Sequence, residues 1–509
     1  MISLRKITGG VLSGWTSTLV TIALGVFMSP FLIHHLGVAG YGVWILVQSA
    51  VSYMYFLDLG LRPTVIRFTA EAHARGDHEE VSNTVSAVLW VRIWTAGGIF
   101  VLAGVLSLLL PHLFRIPTQY QREAQLAVFV FATTLASGMV FSIFSAVLSS
   151  LGWFDLLGAL ETVRTVFASL GLVPIVLSGH GLVAMALWQL AVMLAVNLAI
   201  MLSCFRIYPE LKCRFRRPER AVLVSLLSLS LYVLICNCGN QLILYTDNLV
   251  VGAFVTAVAV SYYAVAGKMT EYVRRISSSI LQFVMPLASS FGVRREYNRL
   301  QQLHLRGSQA TLLVTYPVVI TLFIRGNTLL RLWIDASFST EATGVLKILT
   351  LAFAVRVLSA NAYHLTLALD RQRTLAFVTV AEGVSNLVLS IILVHFIGLI
   401  GVAVGTLIPT VITSLFFWPP YLCRLVKMST TYYVARAWLC PIAAMVPFAA
   451  VTWWAQLYWH PNKLLGFAIQ TLALLPLVAV GACIVFWKDV PTVWRLLAEH
   501  RARAANARA

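Results

Sequence analysis

Apolar runs long enough to cross a membrane recur along the chain, and short polar turns separate them. Residues 36–75 show the pattern in full, with a turn from Gly37 to Gly42, a long apolar run interrupted by Asp58, and cations beginning at Arg62. An α-helix of about 20 apolar residues spans the roughly 30 Å hydrocarbon core of a bilayer. Because the runs are too long for barrel strands, the pattern predicts an all-α polytopic membrane protein.

The same pattern predicts about 14 transmembrane helices, forming two six-helix lobes and two extra C-terminal helices. We expect an N-terminal lobe at 1–206, a basic cytoplasmic linker at 207–221, a C-terminal lobe at 222–424, two additional transmembrane helices at 425–488 and a basic cytoplasmic tail at 489–509. The predicted helices are 10–34, 41–66, 83–110, 123–150, 157–177, 182–205, 222–245, 249–273, 308–333, 343–369, 375–396, 399–422, 434–457 and 464–487.

A weak internal repeat relates the two predicted lobes. The pattern of 36–75 returns at 251–295, and GHGLVA at 179–184 resembles FIGLIG at 396–401. Because each lobe has an even number of spans, both lobes start on the same side of the membrane. The predicted repeat is therefore parallel, with a pseudo-twofold axis along the membrane normal.

Composition agrees with a membrane protein. The 509 residues are 59% hydrophobic and 11% charged, whereas soluble domains are roughly a quarter charged; the mean hydropathy is +0.85. The net charge of +18 would suggest nucleic acid in a soluble protein, but most Lys and Arg fall in loops predicted to lie on one side. This positive-inside bias predicts cytoplasmic termini, contact with membrane lipids and no nucleic-acid partner.

Signatures of catalysis and cofactor binding are absent from the sequence. The 7 cysteines form no CxxC and no metal-ligand spacing, which is typical of small apolar fillers. No GxxxxGK[ST] loop is present, so we expect no ATP hydrolysis by this chain. The predicted outer loops are short and carry few acids. We therefore expect no enzymatic activity, no cofactor and no metal.

Polar side chains inside the predicted helices are the candidate functional residues, because a charge at mid-bilayer costs about 2.5–3.5 kcal/mol unless it meets water or a partner. The cations are Arg92, Arg164, Lys268 and Arg356, and the candidate coupling or structural carboxylates are Asp58, Glu161, Asp247 and Glu382. Uncharged candidates, for a cavity lining or for contacts between helices, are Gln48, Gln189, Asn197, Asn237, Asn240, Gln241, Asn361 and Asn386.

Spacing along a helix predicts some ion pairs. Glu161 and Arg164 are three residues apart, which favours a local pair. Lys268 and Glu271 share this spacing, and Asp58 is close to Arg62 and Arg67.

Arg92 and Arg356 have no carboxylate within four residues. Each needs either a distant carboxylate or an anionic ligand in a water-filled cavity. The sequence leaves both alternatives open.

Short motifs carry a resemblance to a known family. They are LG at 36–37, YGVW at 41–44, LDLGL at 57–61, RF at 67–68 and AE at 70–71, with Asp247, Gly252, Tyr262 and Lys268 in the second half. With the predicted spans, these residues resemble the O-antigen-type oligosaccharide and polysaccharide flippases of the multidrug/oligosaccharidyl-lipid/polysaccharide exporter superfamily.

The resemblance implies a flippase that moves an undecaprenyl-diphosphate-linked oligosaccharide across the bacterial inner membrane by alternating access. The product would be O-antigen, exopolysaccharide or capsule. A cationic cavity would hold the diphosphate, with Arg92, Arg164, Arg356 and Lys268 as its expected contacts, because the planar fork of Arg donates two hydrogen bonds at once. The implied partners are this lipid-linked substrate, membrane lipids, a polysaccharide polymerase and glycosyltransferases.

Two alternatives stay open. One is a lipid II flippase or a cation-coupled multidrug exporter of the same superfamily. The other is a membrane enzyme or assembly partner of polysaccharide synthesis. A central cavity favours transport, whereas a carboxylate-lined groove on the outer face favours an enzyme.

Overall fold

A computed structural model of the chain describes residues 4–213, 220–281 and 284–486, without the side chains of 4–17, 220–230 and 232. Within these ranges the backbone is helical apart from short turns, and no β-strand occurs. The all-α prediction is therefore confirmed.

The described residues form twenty α-helices, several of which follow one another within a single membrane span. They are α1 (Leu4–Ser52), α2 (Leu61–Ala74), α3 (His78–Leu113), α4 (Thr118–Ser150), α5 (Phe154–Leu170), α6 (Leu172–Leu177), α7 (Leu182–Ile207), α8 (Arg220–Phe254), α9 (Ala257–Leu281), α10 (Val284–Val293), α11 (Tyr297–Trp333), α12 (Ala336–Leu358), α13 (Asn361–Ala368), α14 (Gln372–Val411), α15 (Trp418–Leu425), α16 (Thr430–Tyr433), α17 (Cys440–Ala444), α18 (Val446–Tyr458), α19 (Leu464–Leu474) and α20 (Pro476–Val485). A 3₁₀ turn occupies Tyr53–Asp58, and π-helical turns occupy Ile412–Phe417 and Val434–Leu439.

Eleven segments of the described ranges are long and apolar enough to cross a membrane. Two of them, Thr18–Asp58 and Gln372–Leu425, each contain a kink where the sequence predicts a turn between two helices. The kinks lie at Gly37, with φ 73°, and at Gly398, with φ 58°, where glycine adopts a left-handed conformation at little cost. If each kinked segment is counted as two spans, and α8 is added as the predicted seventh span, the described ranges contain 14 spans. The predicted count of about 14 is therefore a fair approximation.

The predicted helix at 41–66 is interrupted in the structure. The α-helix ends at Ser52, the 3₁₀ turn follows, and Leu59 and Gly60 are left-handed with φ 55° and 62° before α2 begins. Two residues with positive φ end a right-handed helix, because continuing it requires a φ of about −60°. Hydropathy does not reveal this break. The break places Asp58 at the end of the 3₁₀ turn, where only 6% of the surface of Asp58 is exposed.

The chain packs as two compact units. The first unit comprises Met1–Val265 and Gln372–Thr406, and the second comprises Ala266–Arg371 and Leu407–Ala509. In the first unit α4 packs against α3 and α7, and in the second α11 packs against α12 and α18. The units reflect packing, whereas the predicted lobes reflect a repeat along the chain, so the lobe boundaries stay a prediction. Residues 214–219 of the predicted linker and the whole predicted tail at 489–509 lie outside the described residues.

A candidate substrate cavity

A cavity of about 880 Å³ lies inside the first unit. Its wall is formed by α1, the 3₁₀ turn, α2, α4, α5, α7 and α8, and its charged lining residues are Asp58, Arg62, Glu161 and Arg164. Ligand pockets usually measure about 300–1,000 Å³. The cavity is therefore large enough for a sugar or a lipid headgroup.

Glu161 and Arg164 form an ion pair on the cavity wall, as their spacing predicts. Nε of Arg164 donates to Oε2 of Glu161 at 2.9 Å, and Nη2 donates to Oε1. The side chains remain 37% exposed for Arg164 and 50% exposed for Glu161. An ion pair this accessible stabilises the fold little, so both groups can exchange partners.

Arg92 and Asp58 form a second ion pair, which is buried. Arg92 is 1% exposed on α3 and donates from Nη1 to Oδ1 of Asp58, a residue 34 positions earlier in the chain. The structure therefore provides the first of the two alternatives for Arg92, a distant carboxylate. Asp58 lines the cavity, whereas Arg92 is not among the lining residues.

The carboxylate of Asp58 does not pair with the nearby cations that its sequence position suggested. Arg67 instead donates to Glu71 at 2.8 Å on the exposed face of α2. This hydrogen bond raises the pKa of Arg67 and keeps its guanidinium charged.

Arg62 is a cavity cation that the sequence did not identify as a substrate contact. It is the second residue of α2, is exposed, and lines the cavity. No carboxylate of the described residues pairs with it. Its position depends on the break at Leu59 and Gly60, so only the backbone geometry of that turn could have revealed it.

Asp247 lies elsewhere in the first unit, in a buried hydrogen-bond network. It is 6% exposed, and its Oδ2 accepts from the hydroxyl of Tyr263 at 2.5 Å and from Thr406 Oγ1 at 2.8 Å. Asn386 Nδ2 donates to Thr406 Oγ1 at 3.0 Å. The network joins α8, α9 and α14.

The remaining predicted charged residues do not line the cavity, whereas the predicted amides Gln48, Gln189 and Asn197 do. Glu382 is buried on α14 in the first unit. Arg356 lies in the second unit, where its Nη2 donates to Thr410 Oγ1 at 2.8 Å. Lys268 lies on the part of α9 that belongs to the second unit, near Glu271, which accepts from Arg274 at 2.5 Å. The functional roles of Lys268, Arg356 and Glu382 stay predictions.

The apolar helices define a multi-pass membrane protein, and its first unit contains a polar cavity. A family model described as "Polysaccharide biosynthesis protein" matches residues 32–340. The chain belongs to this polysaccharide biosynthesis protein family.

Relatives and solved structures agree with this assignment. The chain is 21% identical over 490 residues to "Uncharacterized membrane protein EpsK" of Bacillus subtilis, with 94% of each protein covered. It is 23% identical over 398 residues to "Probable flippase AglR" of Haloferax volcanii, covering 77% of this chain and 78% of the relative. Its fold is similar to a solved structure of "Lipid II flippase MurJ, inward closed conformation", with a TM-score of 0.73, 15% identity, and 94% of this chain and 99% of that chain covered.

These similarities confirm the predicted family and fold. They also agree with the expectation of a transporter rather than an enzyme, because AglR is named a probable flippase and the similar solved structure is a flippase. A multidrug transporter of the MATE family shares the fold as well, with a TM-score of 0.64, 15% identity, and 84% of this chain and 99% of that chain covered. The fold alone therefore does not select the substrate.

Proposed function

We propose that the chain is a flippase that translocates an undecaprenyl-diphosphate-linked oligosaccharide across the bacterial inner membrane by alternating access. The glycan would serve O-antigen, exopolysaccharide or capsule biosynthesis, and both termini would lie in the cytoplasm. The observation that carries the proposal is the polar cavity of the first unit, which presents Arg62 and Arg164. Membership of a polysaccharide biosynthesis family supports it further.

The charges of the cavity favour an anionic headgroup. The lining itself holds two arginines, Arg62 and Arg164, and two carboxylates, Asp58 and Glu161. Because Arg92 pairs with Asp58 from behind the lining, the group of five carries one net positive charge. A guanidinium offers several N–H donors in a plane, which suits the oxygens of a diphosphate. A site for cationic drugs would need the opposite balance.

Arg164 has a second role in this proposal. A bound diphosphate competes with Glu161 for the guanidinium of Arg164. Once released, Glu161 can take up a proton or a sodium ion from solution, which makes it the proposed coupling carboxylate. Asp247 is the alternative, because its buried carboxylate sits at the junction of three helices.

The competition predicts weaker lipid binding when an arginine is removed and tighter lipid binding when Glu161 is removed. Arg62→Gln and Arg164→Gln should each weaken binding of sugar-free undecaprenyl diphosphate to the purified chain by about tenfold, because each removes a charge-assisted hydrogen bond. Glu161→Gln should tighten this binding, because it frees Arg164. Native mass spectrometry across a titration of the lipid measures all three.

Arg75→Gln is the matched control for these variants, because Arg75 pairs with Glu80 on the exposed surface of the same unit. Its affinity should equal that of the unmodified chain. Unchanged binding in both Arg62→Gln and Arg164→Gln would contradict the proposal that the cavity holds the diphosphate.

A further inference from the structure

Three amide side chains line the same cavity, and each has at least one N–H donor without an acceptor among the described residues. They are Gln48 on α1 and Gln189 and Asn197 on α7. No described residue hydrogen-bonds the side-chain amides of Gln48 and Gln189. Asn197 is only 7% exposed, and its Nδ2 has no acceptor within the described protein.

An unsatisfied buried amide is costly, at about 1–3 kcal/mol. Buried polar groups in native proteins are satisfied in nearly all cases, so each exception calls for an explanation. Asn197 could pack as a leucine at lower cost if its role were only to fill space. A ligand acceptor that enters the cavity would satisfy Nδ2.

The neighbouring helix α4, which packs against α7, supplies acceptors. Thr134 and Ser142 on α4 line the cavity, and their hydroxyls donate to carbonyls of their own helix, Val130 at 2.9 Å and Met139 at 2.6 Å. Ser145 repeats the pattern one turn later, at 2.8 Å to Ser142. With its proton committed, each hydroxyl keeps lone pairs for a donor on a ligand.

We propose that these residues form an amide wall (Gln48, Gln189 and Asn197, together with the hydroxyls of Thr134, Ser142 and Ser145) that binds the glycan of the substrate and selects uncharged sugars. The inference rests on the proposed function and adds the class of sugar. Neutral amides and hydroxyls match sugar hydroxyl and acetamido groups, which both donate and accept hydrogen bonds.

A carboxylated sugar fits the amide wall poorly. Binding would remove the carboxylate from water and place it among neutral amides and hydroxyls. This desolvation is costly unless a cation pairs with the carboxylate. The two arginines of the cavity lining are assigned to the diphosphate, and the remaining charged lining residues are the carboxylates Asp58 and Glu161. The wall therefore favours a sugar such as an N-acetylhexosamine over a uronic acid.

The test compares three lipids on the purified full chain. These are undecaprenyl diphosphate, the same lipid bearing N-acetylglucosamine, and the same lipid bearing glucuronic acid. We expect the N-acetylglucosamine lipid to bind about tenfold more tightly than the sugar-free lipid, as one or two net hydrogen bonds would give. Asn197→Leu and Gln189→Met should remove this difference and leave binding of the sugar-free lipid unchanged.

Asn83→Leu is the matched control, because Asn83 is an exposed amide on α3 away from the cavity. It should keep the full preference for the N-acetylglucosamine lipid.

The outcomes separate the two proposals. Failure of the unmodified chain to bind the sugar-free lipid would overturn the proposed function. Binding of that lipid without any gain from the neutral sugar would overturn the amide wall alone, as would equal losses for both lipids in Asn197→Leu. Equal affinity for the glucuronic acid lipid would overturn the selection of uncharged sugars.

Discussion

Asp58 and Arg92 neutralise each other's charge in an apolar environment. Both side chains are almost fully buried, and each supplies the other's counter-charge. The net stability of such a pair is small, because removing two charges from water costs about as much as their attraction returns. Loss of one partner is different, because it leaves an uncompensated charge in the protein interior.

Single and double variants should therefore behave differently. Asp58→Asn or Arg92→Gln alone should lower the free energy of unfolding by about 3–5 kcal/mol, whereas Asp58→Leu with Arg92→Met should recover most of that loss. Thermal unfolding of the purified chain in detergent measures this. Arg67→Gln, which removes an exposed pair on α2, should change little. Equal melting temperatures for all four proteins would contradict a buried ion pair.

At residue scale, sequence separation decided which pairs could be predicted. Glu161 and Arg164 share one helix face, so their spacing was sufficient. Asp58 and Arg92 are 34 residues apart, and they meet only because a 3₁₀ turn packs against α3. Arg62 was missed for the same reason, since the turn that precedes it sets the direction of α2.

At the scale of elements, backbone breaks position the functional groups. Glycines at Gly37 and Gly398 mark kinks that the sequence predicts from polar or glycine-containing turns. The break at Leu59 and Gly60 also contains a glycine, but its first left-handed residue is a leucine, which rarely adopts a positive φ, and it lies inside an apolar run. Hydropathy reports that a segment is apolar, but it does not report where the helix is interrupted.

Close packing across the kink of α14 gives a prediction for this element. A Cβ at Gly405 would approach the backbone nitrogen of Ser390 to 2.7 Å, so the chain itself would have to move. Gly405→Ala should therefore destabilise the protein by about 1–3 kcal/mol, as overpacking usually does. The melting temperature in detergent reports the change.

Gly104 on α3 is the matched control, because nothing lies within 4 Å of a Cβ built there. Gly104→Ala should leave the melting temperature unchanged or raise it, since alanine favours a helix over glycine by about 1 kcal/mol. Equal effects at Gly104 and Gly405 would show that the two halves of α14 do not pack this closely.

At the scale of the whole molecule, length, hydropathy and a few short motifs were enough to predict an all-α membrane transporter and its family, both of which are confirmed. The family resemblance implied a cationic cavity, but its lining could not be predicted, because it depends on which faces of α1, α4, α5 and α7 meet. Its lining combines residues from distant parts of the chain, and only three of the eight predicted charged residues belong to it, namely Asp58, Glu161 and Arg164.

Transport by the purified chain tests the central claim most directly. The chain is reconstituted into vesicles that carry lipid-linked oligosaccharides, and these lipids are extracted from the cells that produce the protein. A membrane-impermeant glycosidase then reports the fraction of glycan on the outer leaflet. We predict that the chain exposes glycan that protein-free vesicles keep protected, and that Arg62→Gln combined with Arg164→Gln abolishes this exposure. Equal protection of the glycan with and without the unmodified chain would contradict the account.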